Sequence, residues 1–209
     1  MNESSQIRIL TVDDHPVLRE GIAAVLANEK DLSLVAEASN GREGIEQFRT
    51  HHPDVTLMDL QMPLMNGTDA IVAIRKEFPE ARIIVLTTYS GDAQAVRAFK
   101  AGASGYLLKN MVRKELADTI RSVHAGKKRI PPEIAVGMAE HHTDDALSER
   151  EIEVLRQVAG GNANKIVADH LSISEETVKA HMRSILSKLD ARDRTHAVTM
   201  ALKRGIIEI

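Results

Sequence analysis

The chain has 209 residues, 43% of them hydrophobic, a formal net charge of -3 and no cysteine. This length is sufficient for one large domain or two small ones. The absence of cysteine excludes disulfides and thiolate metal sites, and the acidic balance excludes a uniformly basic, nucleic-acid-coating surface. The sequence contains neither an apolar run of about 18 residues nor a recognisable signal peptide, so we expect a soluble, cytoplasmic protein that does not enter the membrane.

Residues 1–125 alternate between short apolar runs and segments with helical spacing. The apolar runs predict five strands, at Ile7–Val12, Leu32–Ala38, Val55–Met58, Ile83–Leu86 and Tyr106–Leu108. The remaining segments predict five helices, around Val17–Leu26, Gly44–Phe48 with its flanks, Ala70–Phe78, Ala93–Phe99 and Leu116–Val123. Regular alternation of strand and helix is typical of an α/β fold with a doubly wound parallel sheet.

The alternation stops after Ala125. Gly126, three basic residues and Pro131-Pro132 follow, and we interpret residues 126–145 as a linker with room for one short helix near Glu133–Glu140. The basic residues Lys127, Lys128 and Arg129 are interpreted as a solvated part of this linker.

Residues 146–209 have helical spacing throughout. Ser148 and Glu151 have the spacing of a capping box, and Gly160-Gly161 ends the first predicted helix. Three more helices are predicted, at about Asn164–Leu171, from a cap at Ser174 to about Leu189, and at about Thr195–Arg204. Four short helices indicate a compact all-α domain.

Four of the predicted strands end on a reactive polar side chain: the first on Asp13 and Asp14, the third on Asp59, the fourth on Thr87 and the fifth on Lys109. The carboxyl ends of parallel strands share one edge, where α/β sheets bind ligands, so we expect these side chains to converge. Three carboxylates at one point need a cation, and Mg²⁺ prefers such oxygen ligands. Asp59 can then act as a nucleophile toward a phosphoryl group, with Lys109 and Mg²⁺ stabilising the charge.

The third helix of the C-terminal region has two distinct faces. Its apolar residues repeat at spacings of four, three and four, at Val178, Met182, Ile185 and Leu189. Lys179, Ala180 and Arg183 lie together on another side, within an acid-free stretch from Thr177 to Leu189. Cations around a small residue suit insertion into the major groove of DNA, and the alternative is an ordinary solvated basic face.

Residues 1–125 resemble the receiver domain of two-component response regulators. The resemblance lies in four segments, Val12-Asp13-Asp14-His15, Leu57–Pro63, Thr87-Thr88 and Ala101–Lys109. It implies a flavodoxin-like fold with Asp59 as phosphoacceptor. It also implies a Mg²⁺ site formed by Asp13, Asp14, Asp59 and the backbone carbonyl of Gln61. Thr87 and Tyr106 would be the switch pair, with Lys109 sensing the phosphate. On phosphorylation Thr87 would move toward the phosphoryl group and Tyr106 would turn inward.

The C-terminal region resembles the LuxR-type helix-turn-helix of the NarL/FixJ class. The matching residues include Leu147–Glu151, Asn164-Lys165, Ile173-Ser174-Glu175, Thr177–His181, Lys188-Leu189 and Arg194. The resemblance implies that Lys179, Ala180 and Arg183 face bases or nearby phosphates. Lys165, Thr177 and Lys188 would face the DNA backbone, and the last helix would carry a dimer contact through Val198, Ala201 and Leu202. The sequence departs from the pattern at Ala163 and Ile166, where a hydroxyl residue and a glutamate are usual.

Both regions together predict a phosphorylation-controlled transcriptional regulator. A sensor histidine kinase would phosphorylate Asp59, and the protein would dimerise and bind double-stranded promoter DNA. Its only reaction would be slow hydrolysis of its own aspartyl phosphate. One alternative is a Mg²⁺-dependent phosphohydrolase with an aspartyl nucleophile, although the chain offers no evident second general acid. Another is a DNA-binding protein whose receiver is only a dimerisation scaffold, against which the complete set of pocket residues argues.

Overall fold

The structure is a computed structural model that describes residues 6–88, 92–132, 134–136 and 147–207. The backbone forms two compact units, one built on a β-sheet and extending to Pro132, the other on the C-terminal helices. Each unit has its own cluster of buried apolar side chains. Residues 134–136 are helical, and the rest of the linker helix predicted between Glu133 and Glu140 lies outside the described residues.

The first unit contains five parallel strands in the order β2-β1-β3-β4-β5. Their bounds are Ile7–Val12 (β1), Leu32–Ala38 (β2), Val55–Asp59 (β3), Ile83–Thr87 (β4) and Gly105–Leu108 (β5). β3 and β4 are buried at every position, as expected for parallel strands covered by helices on both faces. The strand order reverses between β1 and β3, the flavodoxin-like arrangement, so the predicted fold class is confirmed.

Five helices connect or follow these strands: α1 (Pro16–Ala27), α2 (Gly41–His51), α3 (Gly67–Glu77), α4 (Asp92–Ala101) and α5 (Val112–His124). A single 3₁₀ turn, Lys109–Met111, precedes α5. Pro16 occupies the first turn of α1, where its missing N–H costs no hydrogen bond. Asn40 and Asn66 cap α2 and α3 through their side chains. These caps place the starts of the helices at the carboxyl edge of the sheet.

The core of this unit joins the sheet to α1 and α5. Ile9, Leu57 and Ile84 from the strands are buried together with Ile22 of α1 and Leu116 of α5. Burying one such side chain contributes about 1.5–3 kcal/mol, so the cluster makes the sheet a rigid support for the polar residues at its edge.

Residues that the sequence assigns to the start of the linker are hydrogen-bonded to β5. Arg129 forms an isolated parallel bridge with Gly105. The Arg129 N–H donates to the Ser104 carbonyl at 3.2 Å, and the Tyr106 N–H donates to the Arg129 carbonyl at 2.9 Å. Without this segment β5 would present an open edge of unpaired backbone groups. Backbone pairing therefore holds the beginning of the predicted linker against the sheet.

The second unit contains four helices between Glu149 and Lys203: α6 (Glu149–Ala159), α7 (Asn164–Leu171), α8 (Glu175–Lys188) and α9 (Arg194–Lys203). The predicted capping box at Ser148 and Glu151 is present, and Ser174 caps α8. Ala163 provides no side-chain cap, yet α7 begins at Asn164 as predicted. Buried residues from all four helices form the core of the second unit. They include Val154, Leu155, Val167, Val178, Ile185 and Ala197. None of the helices in the described ranges is long and apolar enough to cross a membrane.

Candidate functional site

Asp13, Asp14, Asp59 and Lys109, together called the acidic pocket, lie at the carboxyl edge of the sheet. Asp59 is the last residue of β3, and Asp13 follows β1 directly. Lys109 Nζ lies 2.6 Å from Asp59 Oδ2 and 2.8 Å from Asp13 Oδ2. Asp13 and Asp59 are buried, whereas Asp14 and Lys109 are partly exposed. One ammonium therefore bridges two buried carboxylates. These three side chains converge at the edge of the sheet, as we expect from their positions at the ends of strands.

The electrostatics of the acidic pocket favour a further cation. Burial raises the pKa of the Asp59 carboxyl above its ordinary value, although the hydrogen bond from Lys109 acts in the opposite direction. Burial alone would lower the pKa of Lys109, but its hydrogen bonds to Asp13 and Asp59 outweigh burial and raise it. Lys109 therefore stays protonated. Three carboxylates beside one ammonium leave an excess of negative charge.

His15 is a member of this site that the sequence did not single out. Its Nδ1 lies 2.8 Å from Asp14 Oδ1 and 3.1 Å from Asp13 Oδ1. Its backbone N–H donates to Asp13 Oδ1 at 2.8 Å, which fixes the loop after β1. The sequence places His15 directly after the two acids, in the receiver-like segment Val12-Asp13-Asp14-His15, but the motif gave it no role of its own.

The donor atoms fit a divalent cation that prefers oxygen ligands. One ligand atom each from Asp13, Asp14, His15 and Asp59 lies within 4.8 Å of the others. Gln61, predicted to contribute its backbone carbonyl, follows β3 closely, and its N–H donates to Asp59 Oδ1 at 3.2 Å. Clustered carboxylates with excess negative charge are typical of Mg²⁺ sites.

Thr87 and Tyr106, the predicted switch pair, are hydrogen-bonded to each other through their side chains. Thr87 ends β4, Tyr106 lies in β5, and both are buried. Burial raises the pKa of Tyr106 to about 12. The Tyr106 ring centre lies 6.4 Å from that of Phe99 in α4. The ring thus occupies the inward position that the receiver resemblance associates with the phosphorylated form.

Gly67 constrains the acidic pocket through the backbone. A Cβ atom added at Gly67 would lie 1.9 Å from the carbonyl oxygen of Asp59. The Gly67 N–H donates to the Leu60 carbonyl at 3.0 Å, so the start of α3 is tied to the end of β3. Only glycine fits here without moving the backbone of Asp59, a constraint that the sequence alone did not reveal.

In the helical unit, the residues predicted to approach DNA lie on α7 and α8. Most of them are exposed: Lys165, Thr177, Lys179, Ala180 and Arg183. Lys179 Nζ lies 3.4 Å from Glu175 Oε1 and 3.6 Å from Glu176 Oε2. The Thr177 hydroxyl lies 2.8 Å from Ser174 Oγ, within the cap of α8. The exposed side of α8 therefore carries two acids beside its cations.

Lys188, also predicted to contact the DNA backbone, has a partner inside the unit. Its Nζ donates to Glu151 Oε2 at 2.8 Å, and the Ser184 hydroxyl donates to Glu151 Oε1 at 2.6 Å. The Ser148 N–H is a third donor, at 2.7 Å. Burial opposes ionisation of Glu151, but the hydrogen bonds led by those from Lys188 and Ser184 lower its pKa to about 2. Glu151 of α6 thus anchors α8, and a DNA phosphate would compete with it for Lys188.

The predicted dimer contact on α9 needs a correction at Ala201. This residue is fully buried in the core of the helical unit, so it has no surface to offer a partner. Ala197 and Ala201, four residues apart, form the buried side of α9. Val198 and Leu202 are partly exposed beside this side.

Two protein families match the chain. Residues 9–121 match the response regulator receiver domain, and residues 145–201 match the bacterial regulatory proteins of the luxR family. The fold and the acidic pocket define a receiver, and the C-terminal helices define a DNA-binding module rather than a classical enzyme. The chain belongs to the NarL/FixJ class of two-component response regulators, as its motifs predicted.

Relatives match the chain over nearly its whole length. The response regulator protein VraR of Staphylococcus aureus is 37% identical over 207 residues, covering 97% of this chain and 99% of VraR. The crystal structure of the response regulator ChrA of a heme-sensing two-component system is 36% identical, with a TM-score of 0.57, and covers 97% of this chain and 100% of ChrA. RcsB from Salmonella enterica serovar Typhimurium, bound to promoter P1flhDC in the presence of phosphomimetic BeF3⁻, is 25% identical with a TM-score of 0.73, covering 96% of this chain and 100% of that chain.

Proposed function

We propose that this response regulator accepts a phosphoryl group on Asp59 from a sensor histidine kinase and binds promoter DNA as a dimer to regulate transcription. In this proposal residues 1–125 are the receiver, 126–145 the linker and 146–209 the DNA-binding domain. The observation that carries it is the 2.6 Å pairing of the buried Asp59 carboxylate with the Lys109 ammonium at the edge of a receiver sheet.

Asp59 is the proposed nucleophile. Its carboxylate oxygen attacks the phosphorus of a phosphohistidine, the P–N bond breaks with its electron pair returning to the imidazole, and an aspartyl phosphate forms. Lys109 stabilises the charge on the transferred phosphoryl oxygens. Asp13, Asp14, Asp59 and the Gln61 carbonyl would hold Mg²⁺, which neutralises carboxylate and phosphoryl charge when bound. Hydrolysis is limited to slow attack of water on this aspartyl phosphate.

Thr87 and Tyr106 are proposed to convert the phosphate into a change of the receiver surface. Thr87 moves toward the phosphoryl group and donates its hydroxyl to a phosphoryl oxygen, which favours the inward position of Tyr106 over an outward one. The phosphate thereby biases a two-state element next to α4 and β5. The resulting surface promotes a homodimer, in which Val198 and Leu202 of α9 contribute to the contact between helical units.

The helical unit is proposed to bind DNA through α8 in the major groove. Lys179, Ala180 and Arg183 approach bases and nearby phosphates, while Lys165 and Thr177 contact the backbone. RcsB, a structure of similar fold, is bound to promoter DNA, which supports DNA binding by this protein. Lys188 contributes less than the resemblance implies, because it already pairs with Glu151. Phosphate contacts make the affinity fall steeply with salt.

Labelling with a small phosphodonor tests the phosphoacceptor. Wild type incubated with acetyl phosphate and Mg²⁺ should gain one phosphoryl group per chain by intact mass, and Asp59→Asn should gain none. Asp118→Asn is the matched control, because Asp118 is an exposed carboxylate on α5 that pairs with Arg121 and not with a residue of the acidic pocket, so this variant should label like wild type. Undiminished labelling of Asp59→Asn would show that Asp59 is not the phosphoacceptor. Repeated turnover of an external phosphate ester would favour the phosphohydrolase alternative.

A second measurement tests control of DNA binding. Promoter affinity and oligomeric state should both rise when wild type receives phosphodonor and Mg²⁺, and neither should change for Asp59→Asn. If neither property changes for wild type, the receiver is a scaffold rather than a switch.

A further inference from the structure

We propose that Glu176 recognises a cytosine in each half-site of the target DNA and so sets part of the sequence specificity of α8. This inference rests on the proposed function, because it requires α8 to enter the major groove.

Glu176 lies on the face of α8 directly opposite the core. Four exposed residues follow one another at spacings of four, three and four: Glu176, Ala180, Arg183 and Ser187. At 100° per residue they form one stripe, on the side away from the buried Val178, Met182 and Ile185. The side of a recognition helix away from its core reaches deepest into the groove, and its N-terminal residues contact base edges. Glu176 is the N-terminal residue of this stripe.

The Glu176 carboxylate is placed to accept a hydrogen bond from a base. Its side chain is 77% exposed, and its oxygen lies 3.6 Å from Lys179 Nζ, beyond ordinary hydrogen-bond distance. A carboxylate that enters the groove loses water and faces DNA phosphates, which is unfavourable unless a donor compensates. The residue therefore selects for a base that presents a donor at this position.

Cytosine matches a carboxylate better than any other base. Its N4 amino group is a pure donor in the major groove, whereas guanine and thymine present acceptors that repel a carboxylate. Adenine presents the N6 donor beside the N7 acceptor, an arrangement that suits the amide of asparagine or glutamine. Glu176 thus acts both by attracting cytosine and by penalising the alternatives.

Glu175 provides a matched control within the same helix turn. Both glutamates lie in the first turn of α8, where acids interact favourably with the helix dipole. Glu175 also approaches Lys179, at 3.4 Å. It is one residue away from Glu176 and therefore about 100° around the helix, outside the stripe. If the glutamates only interact with the helix dipole or with Lys179, substituting either one should have the same effect on DNA binding. If Glu176 recognises a base, only its substitution should change the base preference.

Selection from a random-sequence duplex library tests the proposal with the full chain, Mg²⁺ and beryllofluoride. Wild type should enrich cytosine at one position of each half-site, and E176Q should enrich adenine there. E176A should lose the preference, and E175Q should match wild type. On duplexes that differ only at this base pair, wild type should prefer cytosine by about tenfold and E176Q should reverse the order. N4-methylcytosine, whose methyl group blocks the donor in the groove, should weaken wild-type binding as much as the wrong base.

The outcomes separate this inference from the function on which it depends. If E176Q and wild type enrich the same base at every position, or if E175Q shifts the preference as E176Q does, recognition by Glu176 is overturned while DNA binding stands. If wild type enriches no sequence at all, the proposed function fails and this inference fails with it. Far-UV circular dichroism of all variants verifies that these exposed substitutions leave the fold intact.

Discussion

Replacing Glu151 with glutamine tests how α8 is anchored on α6. The Glu151 side chain is 6% exposed and accepts hydrogen bonds from Lys188, Ser184 and the Ser148 backbone. Its pKa of about 2, against an ordinary 4.5, corresponds to about 3 kcal/mol of interactions that favour the ionised form. Glutamine keeps the shape of the side chain and one hydrogen-bond acceptor, and the Lys188 ammonium can be solvated instead. We therefore expect E151Q to lower the free energy of unfolding by about 2 kcal/mol.

The contribution of Glu151 has a defined dependence on pH. Because the pKa is lower in the folded protein, the ionised carboxylate stabilises the fold fully above its ordinary value of 4.5. This stabilisation is lost as the pH falls toward about 2. Wild type and E151Q should therefore differ by the full amount at pH 7 and converge through this acidic range. Urea unfolding followed by far-UV circular dichroism at a series of pH values measures the convergence.

Amide hydrogen exchange locates the effect in the helical unit, because it reports α6 and α8 separately from the sheet. The slowest amides of α8 should exchange roughly 30-fold faster in E151Q at pH 7, as about 2 kcal/mol requires. E153Q is the control, since Glu153 pairs with Arg150 on the exposed surface at 2.7 Å and should change exchange by about twofold or less. If the exchange rate of these amides rises less than threefold in E151Q, or equally in E151Q and E153Q, Glu151 does not anchor α8 as proposed.

Three further predictions concern the receiver unit. Gly67→Ala should lower the free energy of unfolding by about 1–3 kcal/mol in urea titrations, since the new Cβ would lie 1.9 Å from the Asp59 carbonyl; wild-type stability would contradict this. Lys109→Met should slow labelling of Asp59 by about 100-fold while Mn²⁺ binding, followed by electron paramagnetic resonance, persists; loss of the metal instead would show that Lys109 shapes the site. Arg129→Pro removes one of two backbone hydrogen bonds to β5, so the Tyr106 amide should exchange about tenfold faster; unchanged protection would show that the bridge is not needed.

The acidic pocket could be predicted because it depends on local patterns that topology then combines. Each apolar run predicts a strand, and its last residue predicts what stands at the edge of a parallel sheet. The order of the strands need not be known in detail, because all carboxyl ends share that edge. Asp13, Asp59 and Lys109 therefore converge as expected, although the chain separates Asp59 and Lys109 widely.

The features that the sequence did not predict depend on how helices rotate and pack. Ala201 is buried because α9 turns Ala197 and Ala201 to the core, yet apolar residues occur on several sides of this helix and do not define one face. The Glu151–Lys188 pair joins α6 to α8 and requires their packing to be known. The pairing of Arg129 with β5 uses backbone groups, which leave no trace in side-chain patterns.

The lysines of this protein differ in how easily a phosphate can replace their carboxylate partners. The contacts of Lys179 with Glu175 and Glu176 are at the surface and contribute at most about 0.5 kcal/mol each, so a DNA phosphate would displace them at little cost. Removing Lys188 from Glu151 would leave a buried charge unpaired, which typically costs about 3–5 kcal/mol. Lys179 should therefore contribute more than Lys188 to the salt dependence of DNA binding. Lys109 is a third case, since the proposed phosphorylation would modify its partner Asp59 itself. The ammonium could then exchange a carboxylate oxygen for a phosphoryl oxygen without leaving the acidic pocket.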